Sequence, residues 1–124
     1  MSTLVCETIT NGTDTITVAN DVKGSAKAWI NFDGVTNTIN KSFNISSFVD
    51  LGTGQYRFTF TTLMPDSNYV VSANPVISTS RVRQLGVGVN GKKEDTLTIQ
   101  CVTVNLSTVG LIDSEICDIV IFGD

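Results

Sequence analysis

KGSAKAWINFDG, Lys23–Gly34, and NKSFNISSFVDLGTGQYRFTFTTLMPDSNYVVSA, Asn40–Ala73, hold the only Trp, both Tyr and most of the Phe of a 124-residue chain. Both alternate with a period of two, the spacing that puts successive side chains on opposite faces of a strand. Ala28, Ile30 and Phe32 share one face of Ala26–Phe32, and Lys27, Trp29 and Asn31 share the other. Asp33-Gly34 then signals a turn. Asn40–Val49 predicts a second strand with Phe43 and Ile45 aligned, and Gly52-Thr53-Gly54 predicts a hairpin turn. Gln55–Thr61 has Tyr56, Phe58 and Phe60 on one face and Arg57, Thr59 and Thr61 on the other. Tyr56, Phe58 and Phe60 are the expected centre of the core.

Outward from this centre the pattern repeats. Met64–Asn68 breaks the ladder, because Pro65 has no N–H to donate. Tyr69–Ala73, Arg81–Val89 and Thr96–Asn105 read as strands, with Asn90–Asp95 as a polar hairpin loop. Residues 1–23 read as a polar arm with a turn at Asn11-Gly12 and a short strand at Thr15–Ala19. Glu115–Phe122 is apolar on both faces beyond Asp118, which predicts a central strand or one covered by a neighbouring subunit. No amphipathic helix of useful length is apparent. The expected fold is all-β: a single antiparallel β-sandwich domain over residues 1–124, with about seven to nine short strands.

Composition agrees. Apolar residues make up 41% and charged residues only 16%; the polar remainder is dominated by Thr, Ser and Asn, which suit pleated surfaces and turns. The net charge is −4 with no basic cluster, which argues against a nucleic-acid partner. No apolar run approaches the roughly 20 residues that span a bilayer, so no membrane insertion is expected. The start, MSTLVCETIT, lacks a basic segment followed by an apolar core, so no signal peptide is expected.

The chemistry of catalysis is sparse. There is no His, which removes the usual general base, the commonest metal ligand and any Ser–His–Asp or Cys–His arrangement within the chain. Asp33, Asp50, Asp66 and Asp113 fall in predicted loops, where acidic residues mostly form turns. Cys6, Cys101 and Cys117 are odd in number and far apart, so three thiols rather than a disulfide framework or zinc knuckle are expected. Gly86–Gly91 matches GxGxxG by letter, but no helix follows to receive a phosphate; these glycines are expected at a bulge and turn. Asn11, Asn40, Asn44 and Asn105 begin formal glycosylation sequons, expected to be unused. No catalytic residue, cofactor or metal is therefore expected. Trp29 lies opposite the apolar row of its strand, and it is expected to pack under a loop or against another chain. For Trp29, Tyr56 and Tyr69 packing is the expectation; stacking on a sugar ring would need an exposed platform.

Ala26–Phe32, Ser42–Ser47, Gly52–Thr61 and Met64–Tyr69 follow, in order, an AKAWVNF-like strand, an SxNVSS-like segment, a GxGxYxxxFT hairpin and an MPxxxY turn. In this the chain resembles a family of short β domains in bacteriophage tail fibres and related virion proteins, many from phages of marine bacteria and cyanobacteria. The terminal CDIVIFGD, Cys117–Asp124, is also similar. The chain departs from a complete fibre in lacking a repetitive shaft and an attachment region. The resemblance implies a non-enzymatic virion component, made in the host cytoplasm, which is a tail-fibre or tip domain in host attachment. Expected partners are other tail or capsid proteins and a host surface glycan. The alternatives are a purely structural module, either capsid decoration or fibre-joining protein, and a secreted carbohydrate-binding module. A homotrimer is expected, with Trp29, Ile119 and Ile121 as candidate subunit-interface residues. Asn37, Asn90 and Lys92, in predicted loops, are candidate receptor contacts.

Overall fold

The computed structural model describes residues 2–3, 5–17, 24–75, 82–104 and 109–123. Its strands are β1 (Thr8–Thr10), β2 (Thr15–Thr17), β3 (Ala26–Asp33), β4 (Thr38–Phe43), β5 (Ile45–Gly52), β6 (Gln55–Phe60), β7 (Val70–Pro75), β8 (Val82–Lys92), β9 (Thr96–Val104), β10 (Val109–Leu111) and β11 (Cys117–Phe122). All pairings are antiparallel. The all-β sandwich read from the sequence is present. β1 and β2 form a hairpin of their own, and nine strands build two larger sheets. Val18, Ala19, Arg81 and the sequon beginning at Asn105 lie outside the described residues.

The first large sheet runs β4-β3-β11-β7. β11 thus sits between two neighbours, the central position that its apolar sequence predicts. The second sheet runs β5-β6-β9, with β8 on the far edge of β9 and β10 continuing the edge that β6 leaves. The handover falls at Cys101, whose N–H donates to Gly54 O at 2.7 Å and whose carbonyl accepts from Ile112 N at 3.1 Å.

The core fills the space between these sheets. Ala28, Ile30 and Phe32 from β3 and Cys117, Ile119 and Ile121 from β11 meet Tyr56, Phe58 and Phe60 from β6 and Leu97, Ile99 and Cys101 from β9; all are buried. The ring of Phe32 lies 5.4, 5.1 and 5.2 Å from Phe48, Tyr56 and Phe58, so one aromatic of the first sheet is set into three of the second. Cys101 and Cys117 are buried in this core, Cys6 is exposed, and no disulfide joins them.

Two sequence expectations change. Asn40–Val49 is not one strand: the chain breaks at Asn44, which has φ 57°, and passes from the first sheet to the second. A left-handed residue reverses the sense of side-chain alternation, so Phe43 faces solvent while Ile45 packs on the core. Asn tolerates this conformation better than most residues. Its side chain also ties the crossing down: Nδ2 donates to Lys27 O at 3.0 Å and to Thr62 O at 3.1 Å, and Oδ1 accepts from Thr62 N at 2.6 Å. Second, Asn90–Asp95 is not all loop. Val87 pairs with Ile99 and Lys92 with Leu97, so Gly88–Gly91 together face Thr98 as a wide bulge. A Cβ on Gly91 would lie 2.6 Å from Thr98 O. Of the glycines of the GxGxxG match, Gly88 and Gly91 lie in the bulge, as expected, whereas Gly86 pairs regularly with Gln100.

Candidate functional site

The outer face of the β4-β3-β11-β7 sheet carries both polar and large apolar side chains. The register stacks its outward side chains in rows across the strands. Lys41, Asn31, Asp118 and Asn74 form one row; Phe43, Trp29, Val120 and Ser72 form the next; Phe122 and Val70 form a third. The first row is polar and linked: Asn40 Nδ2 donates to Asn31 Oδ1 at 2.8 Å, and Asn31 Nδ2 donates to Asp118 Oδ1. The other rows are largely apolar yet uncovered. Phe43 is 53% exposed, Val70 64%, Trp29 38% and Phe122 37%.

Two hollows flank this face. Between the first and second rows a depression of about 230 Å3 is lined by Trp29, Asn31, Ser72, Asn74, Asp118 and Val120. At the sheet's end, where the chain crosses at Asn44, a cleft of about 680 Å3 is lined by Phe43, Leu63, Met64 and Pro65, with Lys27 and Asn44. Phe43 belongs to both the cleft and the apolar row, so the two form one continuous apolar surface. Large exposed apolar surfaces of this sort mark interaction sites more often than plain solvated faces.

The candidate subunit-interface residues separate. Trp29 is on the outer face. Ile119 and Ile121 are not: they are 2% and 1% exposed and point into the chain's own core. They cannot meet another copy, and the outward residues of the same strand are Asp118, Val120 and Phe122. The physical reason is strand alternation: β11 is apolar on both faces, but its own domain covers only the face carrying Cys117, Ile119 and Ile121.

The candidate receptor contacts do not converge. Asn37 closes the β3–β4 turn at φ 57° and donates from Nδ2 to Asp50 Oδ2 at 2.7 Å. Asn90 lies in the β8 bulge at φ 54°, exposed. Lys92 is exposed, with its side chain tethered to the fold: Nζ donates to Tyr69 O at 3.1 Å and stands 5.6 Å from the Tyr69 ring centroid. The β3–β4 turn and the β8–β9 turn lie at opposite ends of the strands, so Asn37 and Lys92 do not share one contact surface.

The four carboxylates expected in loops are structural acceptors; Asp66 and Asp113 do lie between strands, whereas Asp33 ends β3 and Asp50 lies within β5, each beside the turn that follows. Asp33 Oδ1 accepts from Val35 N at 2.8 Å and Thr36 N at 3.0 Å. The bond from Thr36 holds its carboxyl below the usual range, against the opposing effect of desolvation. Asp50 accepts from Gly52 N, Asp66 from Asn68 N, and Asp113 from Gly54 N. Among the described residues no group of His, Cys, Asp and Glu converges as metal ligands would.

The residues that sequence reasoning missed are Asn31, Ser72, Asn74 and Asp118. They come from three strands far apart in sequence, and only the register brings them together. The one local signal was Asp118, a charged residue interrupting an apolar strand. Comparison with protein-family models, curated proteins and solved structures finds no match.

Proposed function

We propose that the chain is a non-enzymatic component of a bacteriophage particle, a tail-fibre or tip domain that assembles as a homotrimer and contacts the host surface. The observation that carries this reading is the uncovered apolar surface formed by Phe43, Phe122, Val70 and Leu63, of which Leu63 is 62% exposed. A small domain that leaves such groups on one sheet face is suited to burial against protein, and closed symmetric assembly is the usual way to achieve it. The ordered motifs from Ala26 to Tyr69 support the same reading. The partners are other copies of the chain and neighbouring tail or capsid proteins.

The test is fractionation of purified particles, probed with antibody to this chain. Co-purification with particles supports the reading; confinement to the soluble lysate overturns it. Immunogold labelling then separates the two virion roles. Label at the distal end of a fibre supports host contact, and label on the capsid or at a fibre joint replaces it with a purely structural role.

A further inference from the structure

We propose that the depression beside Trp29 binds one ring of a neutral sugar; this deepens the proposed host contact and rests on that reading for the source of the sugar. Three features of the depression point to this ligand class. The first is an exposed aromatic wall. Trp29 is 38% exposed on a sheet face, and the negative face of an aromatic ring attracts the polarised C–H groups of a pyranose. Val120, partly buried, extends the apolar side.

The second feature is the facing polar row. Asn31 is fixed at both ends of its amide by Asn40 and Asp118, so it orients the Asp118 carboxylate. Asp118, Asn74 and Ser72 line the depression, and Asp118 accepts from Asn31 through Oδ1, which leaves Oδ2 as a further acceptor. A carboxylate accepts and an amide both donates and accepts, which is the combination that pairs with adjacent sugar hydroxyls. An anionic ligand is disfavoured, because among the described residues the only charged side chain in the lining is Asp118. A wholly apolar ligand would leave the polar row without partners.

The third feature is rigidity and size. Trp29, Asn31, Ser72, Asn74, Asp118 and Val120 all stand on paired strands, so little side-chain and no loop ordering is required on binding. The volume, about 230 Å3, is below the roughly 300–1,000 Å3 of sites for drug-sized molecules and suits a single ring. Trp29 is thereby assigned to ligand contact, and Phe43, Phe122 and Val70 to assembly.

Trp29 is the only Trp in the chain, so intrinsic fluorescence reports on this site alone. The experiment titrates the intact protein with methyl glycosides of glucose, galactose, mannose and N-acetylglucosamine. The expected result is a saturable change with at least one of them, with a dissociation constant on the order of 1 mM. Asn74→Ala and Asp118→Asn should each weaken it at least about tenfold with unchanged circular dichroism melts. No saturable change with any of the four, or binding indifferent to both substitutions, overturns the site. Dissociation of the assembly by Trp29→Ala also overturns it, since the ring would then be buried between copies. Sugar binding by a protein absent from particles would remove the virion reading and leave the site; incorporation without sugar binding would do the reverse.

Discussion

The hydroxyl of Tyr56 donates to Asp113 Oδ1 at 2.8 Å, joining the middle of the core to a loop 57 residues further along the chain. Gly34 O also lies 3.2 Å from that hydroxyl, and Asp113 Oδ1 accepts from Gly54 N at 2.7 Å. Gly34 N in turn donates to Ser114 O at 2.8 Å. One buried phenol therefore gathers the β3–β4 turn, the β5–β6 turn and the β10–β11 loop at one end of the sandwich. Tyr56→Phe keeps the ring contacts and leaves polar partners unsatisfied, so it should destabilise by about 1–3 kcal/mol. Asp113→Ala should cost more, because it strands Gly54 N and leaves the phenol only the longer contact to Gly34 O. A urea-melt double-mutant cycle checks this: the pair should couple, since the residues share a network.

Tyr69 makes the corresponding latch at the other end, with its hydroxyl 3.1 Å from Lys93 O and 3.2 Å from Thr96 O. Burial pushes its phenol up to about 12, and burial followed by Asp113 pushes Tyr56 up further. A raised phenol pKa means that the folded state holds its proton after the unfolded state has lost it. Stability is then fully present below the unfolded value of about 10 and falls as pH rises above it. For Tyr69 the fall ends near 12. Melts at increasing pH should show this alkaline loss, and Tyr69→Phe should reduce its slope between those two values.

Gly54 has φ 66°, and a Cβ there would lie 2.6 Å from Cys101 O and 2.7 Å from Ile112 N. Both are backbone atoms, one on β9 and one just after β10, joined by the Ile112 N to Cys101 O bond of the handover, so nothing flexible can yield. Gly54→Ala should cost more than the roughly 1–2 kcal/mol of left-handed strain alone. Gly86→Ala is the control: nothing lies within 4 Å of the added Cβ, and it should be neutral or stabilising by about 0.4–1 kcal/mol. Thermal melts of the two variants should move in these unequal ways.

At Asn44 backbone strain and side-chain bonding are separable. Asn44→Gly relieves the positive φ but loses the bonds to Lys27 O and Thr62; Asn44→Ala loses the same bonds and keeps the strain. Asn44→Ala should therefore be the less stable by about 1 kcal/mol. Equal midpoints in urea would show that the φ carries no cost.

How much of this was legible follows from how local each signal is. The rows Ala28–Ile30–Phe32 and Tyr56–Phe58–Phe60 were readable because period-two spacing over one buried face is contained in a single strand. The crossing at Asn44 was not: an Asn between Phe43 and Ile45 looks like an outward residue of a continuous strand, and only its φ shows that the alternation reverses. Ile119 and Ile121 were assigned to a subunit contact because an apolar residue on either face of β11 reads alike. The second sheet covers one of those faces and leaves Val120 and Phe122 on the other. The Asn31–Asp118–Asn74 row required the register of β3 and β7 against β11, which no local pattern contains.

That same division of β11 leads to the test of assembly. Phe43 and Phe122 face out from the first sheet, on the side of Val70, and their exposure of 53% and 37% means that neither ring is needed to fill the core. If the trimer forms through this face, their apolar area is buried between copies, at roughly 25 cal/mol for each Å2 removed from water. Phe43→Ser and Phe122→Ser together should leave the melt of the dissociated chain changed by less than about 1 kcal/mol, since surface changes away from caps and networks cost little. Sedimentation equilibrium at micromolar concentration should report three copies for the native chain and one for the double variant. A native chain that sediments as one copy removes the homotrimer. A trimer that survives the double substitution places the subunit contact elsewhere and leaves the apolar face to a different virion protein.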